Sequence, residues 1–284
     1  MKYVTLNDGL EIPAIGFGTF QIPPETTYKV VKTAIDLGIR HIDTAVAYFN
    51  EEEVGSAVLD SDVEREDIWI TSKLWLQDYE YEDAKKAIDL SLKKLNTDYM
   101  DLYLLHQPYG KVNEAWRALE DAKDEGKIRS IGVSNMTPKL WNKWIGDFDS
   151  LPSVNQVEFN PYFQQDELKK ILEPLNVKIQ AWGPLGRGNT DLLNNPVILD
   201  IAEKYGKNAG QIILRFENQE GIIVFPKSTK KERIKSNMEI FDFKLTDKEM
   251  DKIRALDTAK GSHDPDAPGT GEMLMNAFDV HKND

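Results

Sequence analysis

Eight short runs rich in β-branched and aliphatic residues recur along this chain, separated by segments of helical period. That alternation limits the fold more than any other feature. The runs are AIGFGT, HIDTA, IWITSKL, DLYLLH, SIGVSN, VNQVEFN, KIQAWGP and IIVFPKS. Between the first two, PPETTYKVVKTAIDLG opens on prolines, carries Val30, Val31, Ala34, Ile35 and Leu37 on an apolar face, and stops at Gly38. Asn50 followed by Glu53 has the spacing of a capping box for the next helix. EDAKKAIDLSLKKL, NEAWRALEDAKDEG, QDELKKILEPL, PVILDIAEKYG, NAGQIILRFENQ and KERIKSNMEIF continue the helical series. Strands alternating with helices of this length predict right-handed crossovers and a parallel sheet.

Two architectures satisfy that pattern. A doubly wound nucleotide-binding fold would place G-x-G-x-x-G after an early strand, but GFGTF has no third glycine and GPLGRG has its glycines in the wrong order. An eight-stranded α/β barrel builds its sites at the C-terminal strand ends. Here those ends are polar: Asp43, Lys73, His106, Ser134 and Asn135, Gln156, Asn160, Lys227 and Ser228. A barrel would gather them on one rim.

Composition excludes several function classes. The formal net charge of −13 repels polyanions, so neither nucleic acid nor a membrane surface is an expected partner. The absence of cysteine removes disulfides, thiolate catalysis and Cys-ligated metal. His41, His106, His263 and His281 are too scattered to suggest zinc, so no metal site is expected. MKYVTLNDGLEIP has no apolar leader, and no window reaches membrane-span length, so the expectation is a cytoplasmic protein, and a monomer. The tail from about Lys260, KGSHDPDAPGTGEM, reads as irregular.

Asp43 lies inside an apolar run, where an unpaired carboxylate is costly. Lys73, between Trp69 and Trp75, has the complementary problem. At about 4 Å and an effective dielectric of ~20 the two attract by roughly 4 kcal/mol, enough to keep both ionised at a barrel mouth. A phenol of reference pKa ~10 is a sluggish donor at neutral pH. An adjacent ammonium is expected to lower that value for Tyr48, and His106 is placed to orient a carbonyl oxygen toward it. Each residue also has a structural use. Asp43 can end a strand, Tyr48 and His106 can pack, and Lys73 can lay its stem along the tryptophans. Together, on consecutive strands, they make a proton-delivery device for a carbonyl being reduced.

GFGTF, GIRHIDTAVAYFNEEEVG, ITSKLW, LNTDYMDLYLLHQP, EGKIRSIGVSN, VNQVEFNPYFQQ and FPKSTKKERIKSN, spread from about Val4 to Leu256, resemble the signatures of the aldo-keto reductase superfamily, in its bacterial, diketogluconate-reductase-like branch. The resemblance implies a single-domain (β/α)8 TIM barrel over residues 1–284, with an N-terminal β-hairpin and a C-terminal substrate loop. It implies catalysis by Asp43, Tyr48, Lys73 and His106, and NADPH held without a Rossmann domain by Gly18, Thr19, Ser134, Asn135, Gln156, Trp182, Gly183, Pro184, Leu185, Gly186, Lys227, Ser228, Thr229, Arg233 and Asn237. Trp182 would stack on the nicotinamide, while Lys227, Ser228 and Arg233 would take the 2′-phosphate. PKSTKKERIK is independently suited to phosphate, since it is among the most basic stretches of an acidic chain and opens a helix. A solvated helix face is its plainer use.

Phe20 and Gln107 stand where many relatives have Trp, Trp182 where many have Tyr, Gly183 where many have Ser, and Ser236 where many have Glu. Phe20, Trp75 and Gln107 would border the substrate pocket, and the changes leave the small-molecule carbonyl substrate open among sugars, keto-acids, dicarbonyls and aromatic aldehydes. Tyr28 with Lys32 and Tyr81 with Lys85 match a Y-x-x-x-K spacing but lie in or at the start of helices without the glycine fingerprint. The alternative from a different class is an NADPH-binding barrel with little turnover, acting as a redox-sensing or structural module.

Overall fold

The computed structural model describes residues 1–282, so the last two positions of the expected domain lie outside the described residues. Two antiparallel strands, β1 (Tyr3–Thr5) and β2 (Glu11–Pro13), form the N-terminal hairpin. Eight parallel strands follow: β3 (Phe17–Gly18), β4 (His41–Asp43), β5 (Trp69–Leu74), β6 (Met100–Leu105), β7 (Ile128–Ser134), β8 (Val154–Glu158), β9 (Lys178–Trp182) and β10 (Ile223–Val224), each paired with its neighbour in sequence. The first and last strands are only two residues long, shorter than AIGFGT and IIVFPKS suggest, yet they close the barrel. Gly16 N–H donates to the Val224 carbonyl at 2.9 Å, and Val224 N–H to that of Ala14 at 3.2 Å.

The helices are α1 (Pro24–Asp36), α2 (Glu51–Leu59), α3 (Tyr81–Leu95), α4 (Val112–Asp124), α5 (Pro138–Trp144), α6 (Asp166–Leu172), α7 (Thr190–Leu193), α8 (Pro196–Tyr205), α9 (Ala209–Gln219), α10 (Lys231–Met238), α11 (Asp247–Arg254) and α12 (Thr270–Ala277). α1 begins on its second proline, buries Val30, Val31, Ala34 and Ile35, and gives way to Gly38 at φ +103°, as its pattern predicts. α2 corrects the expected capping box. Asn50 is its N-cap by position, but its side chain makes no cap bond and is buried instead. Its amide donates to the carbonyls of Thr19 and Ile22, and its oxygen accepts from Thr44, tying two loops of the rim together. α11 was not among the expected helices, although Thr246 and Glu249 form a reciprocal capping box there. The tail is also more ordered than its Gly, Pro and Asp content suggests, because α12 lies within it. None of the helices of the described residues is long and apolar enough to cross a membrane.

The barrel interior is layered. At its lower end Trp69, Leu102, Leu104, Val154, Ile223 and Phe225 pack together, with Leu6 and Ile12 of the hairpin segment sealing them. Space there is tight: a Cβ on Gly132 would sit 2.7 Å from Val154 Cγ2 and 2.8 Å from Leu104 Cδ2, so even alanine would overpack by about 1–3 kcal/mol. Above this plug the inward side chains turn polar. His41 is fully buried, with Nε2 2.9 Å from Thr71 Oγ1, and burial drops its pKa to about 3. Over it lie Asp43, Lys73, Gln156 and Gln180, on strands that are not all neighbours, and their contacts cross the barrel.

Candidate active site

β4 ends on Asp43, whose register partner on β5 is Thr71, and Lys73 follows on the same face of β5, near enough for its long side chain to reach the carboxylate. Lys73 Nζ donates to Asp43 Oδ1 at 2.7 Å and to the Thr44 carbonyl at 2.8 Å, and its third contact is the Tyr48 hydroxyl at 3.4 Å. Lys73 is fully inaccessible and Asp43 4% exposed. Burial lowers the Lys73 pKa, with Asp43 and the buried Glu51 opposing it. Tyr48 closes a 3-10 turn, Val46–Tyr48, and Phe49 beyond it adopts φ +56°, a left-handed turn at the rim.

One expectation is corrected here. Lys73 does not bring the Tyr48 phenol down; burial, and then the negative charge of Asp43, push it well above its ordinary value. The ammonium is 2.7 Å from the carboxylate and 3.4 Å from the phenol, so most of its charge is answered before it reaches the ring oxygen. His106, beyond the end of β6, is held neutral by burial and by Lys73, both of which drive its pKa well below the usual range. Its Nδ1 is buried without a partner. The rings of Phe20 and His106 lie 4.9 and 5.5 Å from that of Tyr48, and Trp75 stands edge-on to His106 at 5.1 Å. Asp43, Tyr48, Lys73 and His106 therefore form one cluster, with Phe20 and Trp75 as its aromatic wall. Gln107 is beside it, its backbone clamped on both sides by the Tyr79 hydroxyl.

Ser134, Asn135, Gln156 and Trp182 form a hydrogen-bonded arc on the next strand ends. Ser134 Oγ donates to the Gln156 carbonyl at 2.8 Å, Asn135 Nδ2 to the His106 carbonyl at 3.0 Å, and Trp182 Nε1 to Asn135 Oδ1 at 2.9 Å. Gln156 reaches further than the sequence implied: its Nε2 donates to Asp43 Oδ2 at 2.7 Å and to Gln180 Oε1 at 3.1 Å. Thr19 is a rim fastener, its hydroxyl donating to the Asp43 carbonyl at 3.0 Å, and Gly18 beneath it packs against Phe225. Gly183, Pro184, Leu185 and Gly186 make a tight loop in which Gly183 and Gly186 both take φ +65°. Lys227, Ser228, Thr229, Arg233 and Asn237 form a separate patch after β10 and on α10, with Ser228 and Asn237 buried and the other three exposed. Among the described residues neither Lys227 nor Arg233 has a carboxylate partner, and α10 starts without a side-chain cap. In so acidic a chain, unpaired cations at an uncapped helix start suit a phosphate.

Contacts from the tail were missed by sequence reasoning. Trp75 Nε1 donates to the Phe278 carbonyl at 3.1 Å and its ring meets that of Phe278 at 5.3 Å. Tyr109, Thr137 and Glu158 hold Pro265, Asp266 and Ser262. His263 stacks on Trp182 at 5.6 Å and 22°, above a cavity of about 710 Å³ that also touches Asn135, Glu158 and Phe163. Gln180 was overlooked too, although its alternation with Trp182 in KIQAW places it on the inward face. No local signal marks Phe278 or His263.

Residues 14–258 match the model of the Aldo/keto reductase family. The chain is 45% identical over 256 residues to the glyoxal reductase of Bacillus subtilis, covering 89% of this chain and 92% of that one. It superposes on the crystal structure of an aldo/keto reductase from Brucella melitensis with a TM-score of 0.87 at 45% identity, covering 90% and 99% of the two chains. A crystal structure of a Gox0644 variant in complex with NADPH gives 0.88 at 35% identity, covering 93% and 97%.

Proposed function

The chain belongs to the aldo/keto reductase family and is an NAD(P)H-dependent oxidoreductase, and from that premise we propose that it reduces small aldehydes or ketones to alcohols with NADPH and with Tyr48 as proton donor. The observation that carries this is the set of contacts of Lys73. Two of its N–H groups are spent on Asp43 and Thr44, and the third faces the Tyr48 oxygen in an aromatic-walled site.

Fit to the cofactor rests on the unpaired cations of Lys227 and Arg233, the glycine-bent loop at Gly183 to Gly186, and the amide-bearing arc of Asn135 and Gln156. Ser228, Thr229 and Asn237 complete the phosphate end of that reading. Bound NADPH supplies the hydride that reaches the carbonyl carbon. As the carbonyl π pair moves onto oxygen, Tyr48 gives that oxygen its proton and Lys73 stabilises the phenolate left behind. The raised pKa keeps Tyr48 protonated but makes it a weaker acid, so the transfer depends on the greater basicity of the alkoxide that forms beside it and on Lys73 facing the phenolate as its charge appears. Neutral His106, with Nδ1 buried, has Nε2 left to hydrogen-bond the carbonyl and fix its angle.

The test is Tyr48→Phe with an aldehyde panel that starts from α-dicarbonyls, the kind of substrate named for the Bacillus relative. NADPH binding should persist while kcat falls by about 10²–10⁴-fold. A variant within tenfold of wild type would remove Tyr48 as donor. A wild-type protein that binds NADPH but consumes none with any aldehyde would instead favour the binding module.

A further inference from the structure

We propose that Gln180 is a positioning residue for proton delivery, acting through Gln156 on Asp43. Resting on Tyr48 as the donor, the proposal assigns a role to a side chain linked to the phenol through Gln156, Asp43 and Lys73.

Gln180 and Gln156 are register partners on β9 and β8, so their side chains project side by side into the barrel. Both are buried, Gln180 completely. The Gln156 amide is planar and its two N–H groups diverge at a fixed angle, so fixing one aims the other. Gln180 Oε1 takes one at 3.1 Å, and the second points at Asp43 Oδ2, 2.7 Å away. With Oδ2 held from across the barrel, the carboxylate turns Oδ1 to Lys73. The ammonium is then anchored by Asp43 and Thr44, and its remaining contact is Tyr48. Every link from Gln180 to the phenol is a contact of 3.4 Å or less, and without Gln180 the Gln156 amide could rotate away from Asp43.

The choice of residue supports a directing role over a filling one. Gln180 Nε2 is buried with no partner. Just below, the barrel is packed with Leu, Ile, Val and aromatic side chains, and an apolar residue of similar length at position 180 would avoid the stranded donor. What an apolar residue cannot supply is the acceptor for Gln156. Because Gln180 is completely buried and its acceptor meets Gln156 rather than the open site, its loss should act on turnover more than on substrate binding.

The full chain carrying Gln180→Met or Gln180→Glu is compared with wild type in NADPH-dependent reduction of an aldehyde, with kcat, both KM values, the pH profile of kcat and the melting temperature measured. Methionine fills the volume and removes the acceptor; glutamate, held protonated by burial, restores a carbonyl-type acceptor. For Q180M the expected result is a kcat lowered by about tenfold or more, from loss of alignment. Its kcat should fall by a larger factor than its KM for NADPH rises, and its pH profile should be displaced. Q180E should recover most of the lost kcat near or below neutral pH. The proposal is overturned if Q180M keeps the wild-type kcat and pH profile. It is equally overturned if Q180E, folded by its melting temperature, shows no recovery. Should Tyr48→Phe retain activity, the donor assignment fails on its own, whatever the Gln180 variants do; should Tyr48→Phe be inactive while Q180M is normal, only the positioning role fails.

Discussion

Replacing Asp43 by asparagine removes one charge from a pair sealed off from water, and the consequences follow from the geometry. Nζ of Lys73 lies 2.7 Å from Oδ1 and the lysine has no accessible surface. At that separation and an effective dielectric near 20, the attraction is about 6 kcal/mol. Dehydrating each ion costs several kcal/mol, so the intact pair contributes little net stability. Asparagine has nearly the same volume, which rules out a cavity as the source of any change. What it leaves is a buried ammonium with only neutral acceptors, the asparagine oxygen and the Thr44 carbonyl, and an amide NH2 facing the Gln156 donor; the expected loss is about 3–5 kcal/mol. With a urea m-value of roughly 3 kcal/mol/M, the unfolding midpoint should fall by about 1–1.7 M. The double variant Asp43→Asn with Lys73→Met removes both charges and should regain most of that loss, while remaining inactive.

The pH dependence carries its own sign. Burial already sets the folded Lys73 pKa below that of the unfolded chain, and removing Asp43 takes away the largest opposing influence. Between the lowered folded value and the unfolded value near 10.5, the unfolded state binds the extra proton, so stability rises with pH. The deficit of Asp43→Asn relative to wild type should therefore shrink from pH 7 toward pH 10. A loss under 1 kcal/mol, a double variant no more stable than the single, or a deficit that widens with pH would each refute the ion-pair energetics.

Two further outcomes are expected. Glu217 on α9 is completely buried with neither carboxyl oxygen partnered, and burial raises its pKa well above the usual range. The folded state keeps a proton that the unfolded chain releases, so its stability is fully present below about pH 4.5 and declines by about 1.4 kcal/mol per unit as pH climbs toward the folded value. Glu217→Gln should melt higher than wild type at pH 8 and close to it at pH 4; an equal offset at both would dismiss this titration. Arg233→Ala should weaken NADPH binding by roughly 10–100-fold, the worth of a charge-assisted contact, and NADH binding by less than about threefold. Equal losses for the two in fluorescence titrations would detach Arg233 from the 2′-phosphate.

How much of this was legible in the chain depended on whether a signal was local. Asp43 inside an apolar run and Lys73 between tryptophans are anomalies visible in single strands, and parallel pairing in register leaves them little choice but to meet. The helix at Asp247–Arg254 has an equally local mark, the capping box of Thr246 and Glu249, although its apolar face is short. Other features depend on distant partners. Asn50 has the spacing of a cap, but the carbonyls of Thr19 and Ile22 draw its amide inward, and neither is near in sequence. Phe278 reaches Trp75 from 203 residues away, beyond any periodicity. The Tyr48 phenol shows how a sign can reverse for the same reason. Sequence pairs the cation with Asp43, but not how much nearer it lies to the carboxylate, at 2.7 Å, than to the phenol, at 3.4 Å, nor how completely the three are dried; those facts exist only once the barrel closes. A charge pair in a closed barrel is thus better regarded as one dipole than as two ions. The dipole's orientation, set by whatever grips Asp43 from across the barrel, decides what Tyr48 feels. On the proposed reading, that lets side chains without charge, such as Gln156 and Gln180, bear on Tyr48 through the carboxylate they orient.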